Sequence, residues 1–246
     1  MSAAPIHIGT SGWQYRHWRP LFYADDLPTN RWLTHYATSF PGVELNSSFY
    51  RMPKERAIAR WCDETPANFV FAIKAPRHLT HFKKLNNCGE LLASFLSQVQ
   101  HFGPRLGPIL FQLPPRWRCN LRRLETFLSA LPRDFRYAFE FRDRSWHIPE
   151  VDALLKAHRA AFCIYDMEGF RSPLTVCTDL VYIRLHGPAT AHTGNYQVNT
   201  LRTWARHCLG WAREGKTVHL YFDNHEQGYA LKNAKRLLGL VRDVGP

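Results

Sequence analysis

The sequence predicts a single (β/α)8 barrel of the TIM type, on the strength of three observations. Short segments in which apolar and polar residues alternate recur along the chain, as they do in β-strands. The intervals between these segments carry an apolar period of 3.6 residues, which is typical of amphipathic helices. The chain has 246 residues, and barrels of this type have roughly 250. A doubly wound open sheet fits eight strand-helix units less well.

Eight strands are predicted, the first over residues 6–10 and the sixth and eighth over 162–166 and 218–224. In the other five, apolar residues occupy alternate positions, and the positions between them end in a polar residue. These segments are VELN (43–46), FAIK (71–74), ILFQ (109–112), FEFR (139–142) and IRLH (183–186). Successive side chains of a strand point to opposite faces. Each segment therefore predicts one apolar packing face and one polar end.

Helices are predicted in six of the seven intervals and after the last strand, from apolar stripes at residues 32–40, 57–61, 91–99, 121–131, 151–155, 201–209 and 231–241. In the second interval, Pro53 lies at a plausible helix start. The interval 167–179 contains Gly169 and Pro173 and has little helical period, so a loop or single turn is expected there. Because no linker or composition break occurs, residues 1–246 are interpreted as one domain.

Composition favours a compact, enzyme-sized protein with a large core, since 45% of residues are hydrophobic and 14% aromatic. No run approaches the ~18 apolar residues that a membrane span needs. Residues 1–5 are too few before the first strand to hold a secretory signal. The six cysteines form no C-x-x-C pair, which favours free thiols. These observations predict a cytoplasmic location without membrane association.

The net charge of +12 favours an anionic partner, and a nucleic acid is one candidate. Basic residues cluster at four places along the chain: Arg16 and Arg19; Arg77, Lys83 and Lys84; Arg116, Arg118, Arg122 and Arg123; Lys232, Lys235 and Arg236. None of these clusters lies in a recognised nucleic-acid motif. Solvated helix faces on a basic protein are the competing interpretation.

Seven ordered motifs resemble those of the YecE-like family, which is catalogued as domain of unknown function 72. They lie at residues 9–13, 43–50, 74–77, 111–115, 139–142, 184–187 and 221–224. The resemblance covers nearly the whole chain and implies a TIM-barrel-like fold. It implies no established reaction.

Barrel enzymes place their sites at the C-terminal ends of the strands. With the apolar parity outward, the polar strand ends predict a shared, cation-rich pocket. Its expected catalytic residues are Glu44, Lys74, Glu140 and His186. Its expected substrate-binding residues are Ser11, Trp13, Tyr15, Asn46, Gln112, Arg142, Asp166, Arg184, Asp223 and Asn224, with only one of the last two facing inward. The competing interpretation is a purely structural network, with Glu44 paired to Lys74 and Glu140 to Arg142 or Arg184.

Glu44 and Glu140 are the predicted acid and base, because enclosure raises the pKa of one carboxyl while a neighbouring cation lowers that of another. A glycosidase would need a carboxylate separation that sequence does not give. Lys74 is either a Schiff-base amine or, more simply, the counter-ion of Glu44.

The segments 186–188 and 224–228 follow strands seven and eight, where many barrels bind phosphate. With Arg142 and Arg184 nearby they predict a bound phosphate or carboxylate. Aromatic residues in the strand-end loops suit the stacking of a sugar or a base, or else plug the core: Trp13, Tyr15, Phe49, Tyr50 and Trp146.

No metal and no other cofactor is expected. The carboxylates and the imidazole expected around the mouth of the pocket would suit a transition metal. They belong to Glu44, Glu140, Asp166, His186 and Asp223. The cations expected around the same mouth, Lys74, Arg142 and Arg184, would repel such an ion. His78 and His81 have helical spacing but are better explained as loop residues.

The sequence therefore favours a metal-independent hydrolase, lyase or isomerase that uses acid-base chemistry. Its expected substrate is a small anionic or carbohydrate-like molecule. The alternative is a nucleic-acid-associated protein that uses its basic surface, with the pocket holding a nucleotide or base. The sequence does not predict an oligomeric state.

Overall fold

The computed structural model describes residues 3–243, which form an eight-stranded parallel barrel surrounded by helices. The strands are β1 (Ile6–Thr10), β2 (Gly42–Leu45), β3 (Val70–Lys74), β4 (Leu106–Gln112), β5 (Tyr137–Glu140), β6 (Ala160–Met167), β7 (Phe170–Arg171), β8 (Leu180–Leu185) and β9 (Thr217–Phe222). Around the barrel they run in the order β1-β9-β8-β6-β5-β4-β3-β2, while β7 pairs antiparallel with β6 outside this path. The predicted fold class is confirmed.

The helices are α1 (Trp32–Ala37), α2 (Glu55–Asp63), α3 (Gly89–Val99), α4 (Leu121–Ser129), α5 (Pro149–Ala157), α6 (Val198–Arg213) and α7 (Tyr229–Asp243). Residues 168–179, all of which are described, contain the short β7 and form no helix, as expected for the sixth unit. Pro53 does not begin α2, whose cap is Lys54. No helix of residues 3–243 combines the length and apolarity of a membrane span. The cytoplasmic location stays a prediction.

The barrel closes between β1 and β2 through a narrow contact. The strands share a single bridge, Ser11 with Glu44, and the Gly12 N–H donates to the Glu44 carbonyl at 2.8 Å. Below this bridge the Tyr36 hydroxyl accepts from the Thr10 N–H at 2.9 Å and donates to the Gly42 carbonyl at 3.3 Å. A Cβ at position 9 would overlap that carbonyl oxygen, so the close approach requires Gly9.

Two apolar layers follow from the alternation in the strands. Outward side chains such as Phe71, Ile109 and Phe139 pack against the helices in the main core. The barrel interior holds a smaller cluster of mostly small or tyrosyl residues: Ala72, Leu110, Ala138, Ala161, Cys163, Leu180, Tyr182 and Tyr221. Small side chains leave room at the C-terminal end of the barrel, where the inward residues become polar.

Candidate functional site

A cavity of about 500 Å³ opens at the C-terminal ends of β1, β2, β3 and β9. Its lining combines aromatic, amide, imidazole, ammonium and carboxylate groups: Gly12, Trp13, Gln14, Tyr15, Leu45, Asn46, Ser47, Phe49, Tyr50, Lys74, His192, Asp223 and His225. Five predicted site residues are among them, namely Trp13, Tyr15, Asn46, Lys74 and Asp223. A large, mixed, concave surface at this end of a barrel is the usual place of a ligand site.

Arg184 is fully buried near the end of β8 and joins three carboxylates. Its Nε donates to both oxygens of Glu44 at 3.1 and 2.9 Å, and its Nη2 donates to Glu44 Oε1 at 2.7 Å. Nη1 donates to Glu140 Oε2 at 2.9 Å, and Nη2 also donates to Asp223 Oδ2 at 3.0 Å. Each guanidinium nitrogen is thus committed to a carboxylate of the protein.

Glu44 has all of its acceptor capacity occupied by protein groups. Besides Arg184, it accepts from the Ser11 hydroxyl at 2.7 Å and from the Tyr182 hydroxyl at 2.7 Å. Its side chain is completely enclosed. We therefore assign Glu44 to holding Arg184 in place, and the predicted Glu44–Lys74 ion pair is not formed.

Glu140, at the end of β5, is also buried and bridges two arginines. Arg142 Nε donates to its Oε1, and Arg184 donates to its Oε2. Burial alone would raise the pKa of Glu140, but the two guanidinium groups outweigh it and hold the pKa well below its ordinary value. Glu140 is therefore an anion at neutral pH and cannot act as a general acid. Glu140 thus forms ion pairs with both Arg142 and Arg184, the two partners that the competing interpretation of a structural network named for it.

His186 is enclosed beside this network, and its contacts define its tautomer. Nε2 lies 3.0 Å from Arg142 Nη2 and 3.3 Å from Arg184 Nη1, both of which can only donate. Nε2 also lies 3.4 Å from Glu140 Oε1, but its two shorter contacts are with donors, which favours the tautomer whose ring proton lies on Nδ1. That atom is 3.1 Å from Asp223 Oδ2, a close contact whose angle falls short of a regular hydrogen bond.

His186, His192 and Asp223 place three potential metal-ligand atoms within 4.8 Å of one another. A metal at His186 would bind Nδ1 and move the ring proton to Nε2, where it would face two guanidinium groups. Arg184 already occupies the shared oxygen of Asp223. This donor set does not suit a divalent cation, and the absence of a metal stays a prediction.

Lys74 ends β3 with its ammonium group in the cavity. Its Nζ lies 4.4 Å from the ring centroid of Phe49, and within residues 3–243 it has no carboxylate oxygen within 4.0 Å. Burial lowers the pKa of Lys74 to about 8, helped by the positive charge of Arg184 and only partly opposed by Glu140, Asp223 and Glu44. Among the described residues, Lys74 is thus a cation that faces the cavity without an ion pair.

Asp223 follows β9 and connects the buried network to the cavity. Burial would raise its pKa, yet Arg184 and the two neighbouring histidines hold it well below the ordinary value. His192 Nδ1 lies 3.5 Å from Asp223 Oδ2 and 2.9 Å from its main-chain oxygen. The hydrogen bond to Asp223 raises the pKa of His192 despite partial burial. His192 and Asp223 therefore form an acid-base pair on the cavity wall.

Sequence reasoning missed His192 of this wall, and it named His225 only as part of the segment 224–228. His225 stacks on Tyr15 with ring centroids 4.7 Å apart, and burial lowers its pKa. His192 lies in a loop that begins at Gly187, whose φ of +114° and contact with Thr193 leave no room for a side chain. The available signal was their position, since they lie in the loops that follow β8 and β9.

Asp166 and Asn224 were predicted at the mouth, and the structure corrects Asp166. The inward residues of β6 are Ala161 and Cys163, so Asp166 points outward and bonds Arg171 and the Tyr196 hydroxyl. Of the alternatives Asp223 and Asn224, the structure selects Asp223. The Asn224 amide donates to the Gly194 carbonyl at 2.8 Å and to Asn233 at 2.9 Å, which ties the loop after β8 to α7.

The remaining predicted residues divide between wall and support. Gln112 pairs in register with Glu140, and its amide donates to the Leu113 carbonyl at 3.2 Å. Trp13 lines the cavity but is almost entirely buried, edge-on to Trp61. Trp146 is a packing residue whose Nε1 donates to the Trp117 carbonyl. All six cysteines are free thiols.

Comparisons with known proteins agree on the family. The model for "Protein of unknown function DUF72" matches residues 7–245. YecE of Escherichia coli K12 is 33% identical over 141 residues, which are 56% of this chain and 48% of that protein, so the chain matches about half of its length. YunF of Bacillus subtilis is 25% identical over 96% of this chain and 94% of its own.

A solved structure of a DUF72 family protein from Thermotoga maritima superposes with a TM-score of 0.87 at 26% identity. The superposition covers 97% of this chain and 99% of that one. A DUF72 structure from Enterococcus faecalis, at 20% identity and a TM-score of 0.82, shares the fold over 96% of this chain and 95% of its own. This chain therefore belongs to the DUF72 family of proteins of unknown function.

Proposed function

We propose that this protein is an enzyme that binds a small anionic molecule, bearing a phosphate or a carboxylate, in the cavity above the barrel. It acts on that molecule by metal-independent acid-base chemistry. The observation that carries the proposal is Lys74, a cation that faces the cavity and has no carboxylate partner within residues 3–243. An oxyanion is the ligand that such an ammonium group favours.

The residue that contacts the anion is Lys74, and not Arg184 as the sequence predicted. Arg184 has no exposed surface and is committed to three carboxylates, so its role is to fix Glu44 and Glu140 beneath the cavity and Asp223 in its wall. Arg142 is also paired, with Glu140. Lys74 retains its charge for a ligand.

Two groups on the cavity wall can exchange protons near neutral pH. The pKa of Lys74 is lowered to about 8 by burial, and that of His192 is raised by Asp223. Acid-base catalysts work best when their pKa values lie close to the ambient pH. Tyr15 and Phe49 provide aromatic faces on which a carbohydrate-like body can stack. Lys74 and His192 therefore replace Glu44 and Glu140 as the proposed acid and base.

Calorimetry with inorganic phosphate and malonate tests this proposal. Lys74→Met should weaken anion binding at least about tenfold, which corresponds to about 1.4 kcal/mol, the scale of a charge-assisted hydrogen bond. Lys83→Met is the matched control, because Lys83 is an exposed lysine in the segment that follows the same strand, between β3 and α3. Equal weakening by both substitutions would mean that the general positive charge, and not the cavity, attracts the anion.

Single-stranded nucleic acid is a second candidate ligand, favoured by one surface feature. The Arg77 guanidinium lies over the rings of Tyr50 and Phe82, at 5.4 and 5.3 Å from their centroids. Both rings are largely exposed, at 68% and 62%, and Tyr50 also lines the cavity. Exposed aromatics beside cations suit base stacking along a phosphate backbone.

Salt titration of oligonucleotide binding distinguishes this candidate. If the protein binds along the phosphate backbone, the logarithm of its affinity should fall linearly with the logarithm of the salt concentration. Arg77→Ala should reduce both the affinity and the slope of this line. Arg122→Ala, on α4, is the control. Identical behaviour of the two variants would remove the nucleic-acid candidate.

A further inference from the structure

We propose that Lys74 is a nucleophile that forms an imine with the carbonyl carbon of the ligand, so that the substrate class is small ketones or aldehydes with an adjacent anionic group. This inference rests on the proposed function, because it assigns a chemical class to the molecule in the same cavity. It is carried by the position and surroundings of one amine.

The position of Lys74 suits covalent chemistry. Its amine projects from the last residue of β3 into the cavity, at the C-terminal end of the barrel. One side is closed by the Phe49 ring, 4.4 Å from Nζ, while the cavity leaves space for a small molecule on the other. A carbonyl compound that enters can therefore meet the nitrogen directly.

The electrostatics around Lys74 increase the fraction of the side chain that is present as the free amine. A lysine held by a carboxylate keeps its proton, whereas the three carboxylates nearby (Glu44, Glu140 and Asp223) are all committed to Arg184. With a pKa of about 8, roughly a tenth of Lys74 is unprotonated at pH 7, which exceeds the fraction for an ordinary lysine several-hundred-fold. Desolvated amines of this kind are the ones that form Schiff bases.

The reaction balances without any co-reactant. The Nζ lone pair attacks the carbonyl carbon, a C–N bond forms, and a proton moves from nitrogen to the former carbonyl oxygen. That hydroxyl then takes up a second proton and leaves as water while the C=N bond forms. His192, whose charged form is favoured by Asp223, faces the same cavity and is the proposed donor of this proton.

The protonated imine also explains how one residue serves both binding and chemistry. It keeps the positive charge at the former Nζ, so a carboxylate or phosphate next to the carbonyl stays paired after the bond has formed. Arg184 lies beneath and is locked by its own carboxylates, so it neither competes for the ligand nor neutralises the cavity. The geometry thus favours 2-oxo acids and phosphorylated carbonyl compounds over neutral ones.

Borohydride reduction tests the inference, with pyruvate, dihydroxyacetone phosphate and acetone as probes. We expect a stable reduced adduct on the peptide that contains Lys74, at least about tenfold more from the two anionic probes than from acetone. Lys74→Met and Lys74→Arg should abolish this adduct, while Lys83→Met should retain it. Circular dichroism verifies that each variant is folded. Labelling that spreads over surface lysines and leaves Lys74 unmodified would overturn the inference.

Lys74→Arg separates this inference from the proposed function. Arginine keeps the positive charge but does not form an imine, so the variant should still bind inorganic phosphate while giving no adduct. If the wild-type protein binds phosphate through Lys74 and gives no adduct there, imine formation is refuted and the anion site stands. If it binds no anion, the proposed function itself fails.

Discussion

Replacement of Arg184 by methionine should destabilise the protein strongly, because the side chain joins three buried carboxylates. Glu140 would keep Arg142 as its partner, and Asp223 would keep its histidine neighbours. Glu44 would keep only the hydroxyls of Ser11 and Tyr182 and would lose its cation. Removal of one partner of a buried ion pair costs about 3–5 kcal/mol, a large part of the 5–15 kcal/mol that stabilises a typical domain.

Urea denaturation followed by circular dichroism measures this cost. Because the loss arises from an uncompensated anion at position 44, adding Glu44→Gln to Arg184→Met should recover part of the stability. Arg122→Met on α4 is the matched control, and its effect should lie within about 0.5 kcal/mol of zero. A change below about 1 kcal/mol in Arg184→Met, or no recovery in the double variant, would refute the assigned role of Arg184.

Three further predictions concern stability. The folded pKa of Lys74 lies below its ordinary 10.5, so the free energy of unfolding of the wild-type protein should rise with pH between about 8 and 10.5. Lys74→Met should abolish this rise. In urea titrations at pH 7, the same substitution should stabilise the protein by up to about 3 kcal/mol. Gly9→Ala should lower the melting temperature by forcing β1 from β2, at a cost of about 1–3 kcal/mol, whereas Gly239→Ala, with open space on α7, should not lower it. Because Asp223 raises the pKa of His192, the contribution of this pair to the free energy of unfolding is fully present below about pH 6.5. It is lost as the pH rises through the pKa of His192 in the folded protein. His192→Gln should therefore destabilise in acid only, and equal destabilisation at about pH 9 would contradict that reading.

The fold was predictable because the strand pattern repeats. Period-two segments such as 71–74 and 183–186 define both layers of the barrel, and the absence of a helical period after β6 matches the β7 hairpin. The closure between β1 and β2 was not predictable. It depends on the Tyr36 hydroxyl reaching between two strands, a contact that no local pattern encodes.

The site was predictable as a set of residues but not as a division of roles. Parity placed Glu44, Glu140 and Arg184 on the inner face, and they lie there. Which cation pairs with which carboxylate depends on side-chain reach across the barrel, and Arg184 outcompeted Lys74 because its planar group satisfies several carboxylates at once. Asp166 failed because the inner parity of β6 is that of Ala161 and Cys163.

Titration of the Lys74 side chain by NMR tests the central claim most directly, with Lys74→Arg used to assign its signal. We predict a pKa of about 8 in the free protein, and a rise in that pKa when inorganic phosphate is added, because an anion in the cavity stabilises the charged form. A Lys74 pKa near 10.5 that does not respond to phosphate would contradict both the unpaired ammonium and the anion site built on it.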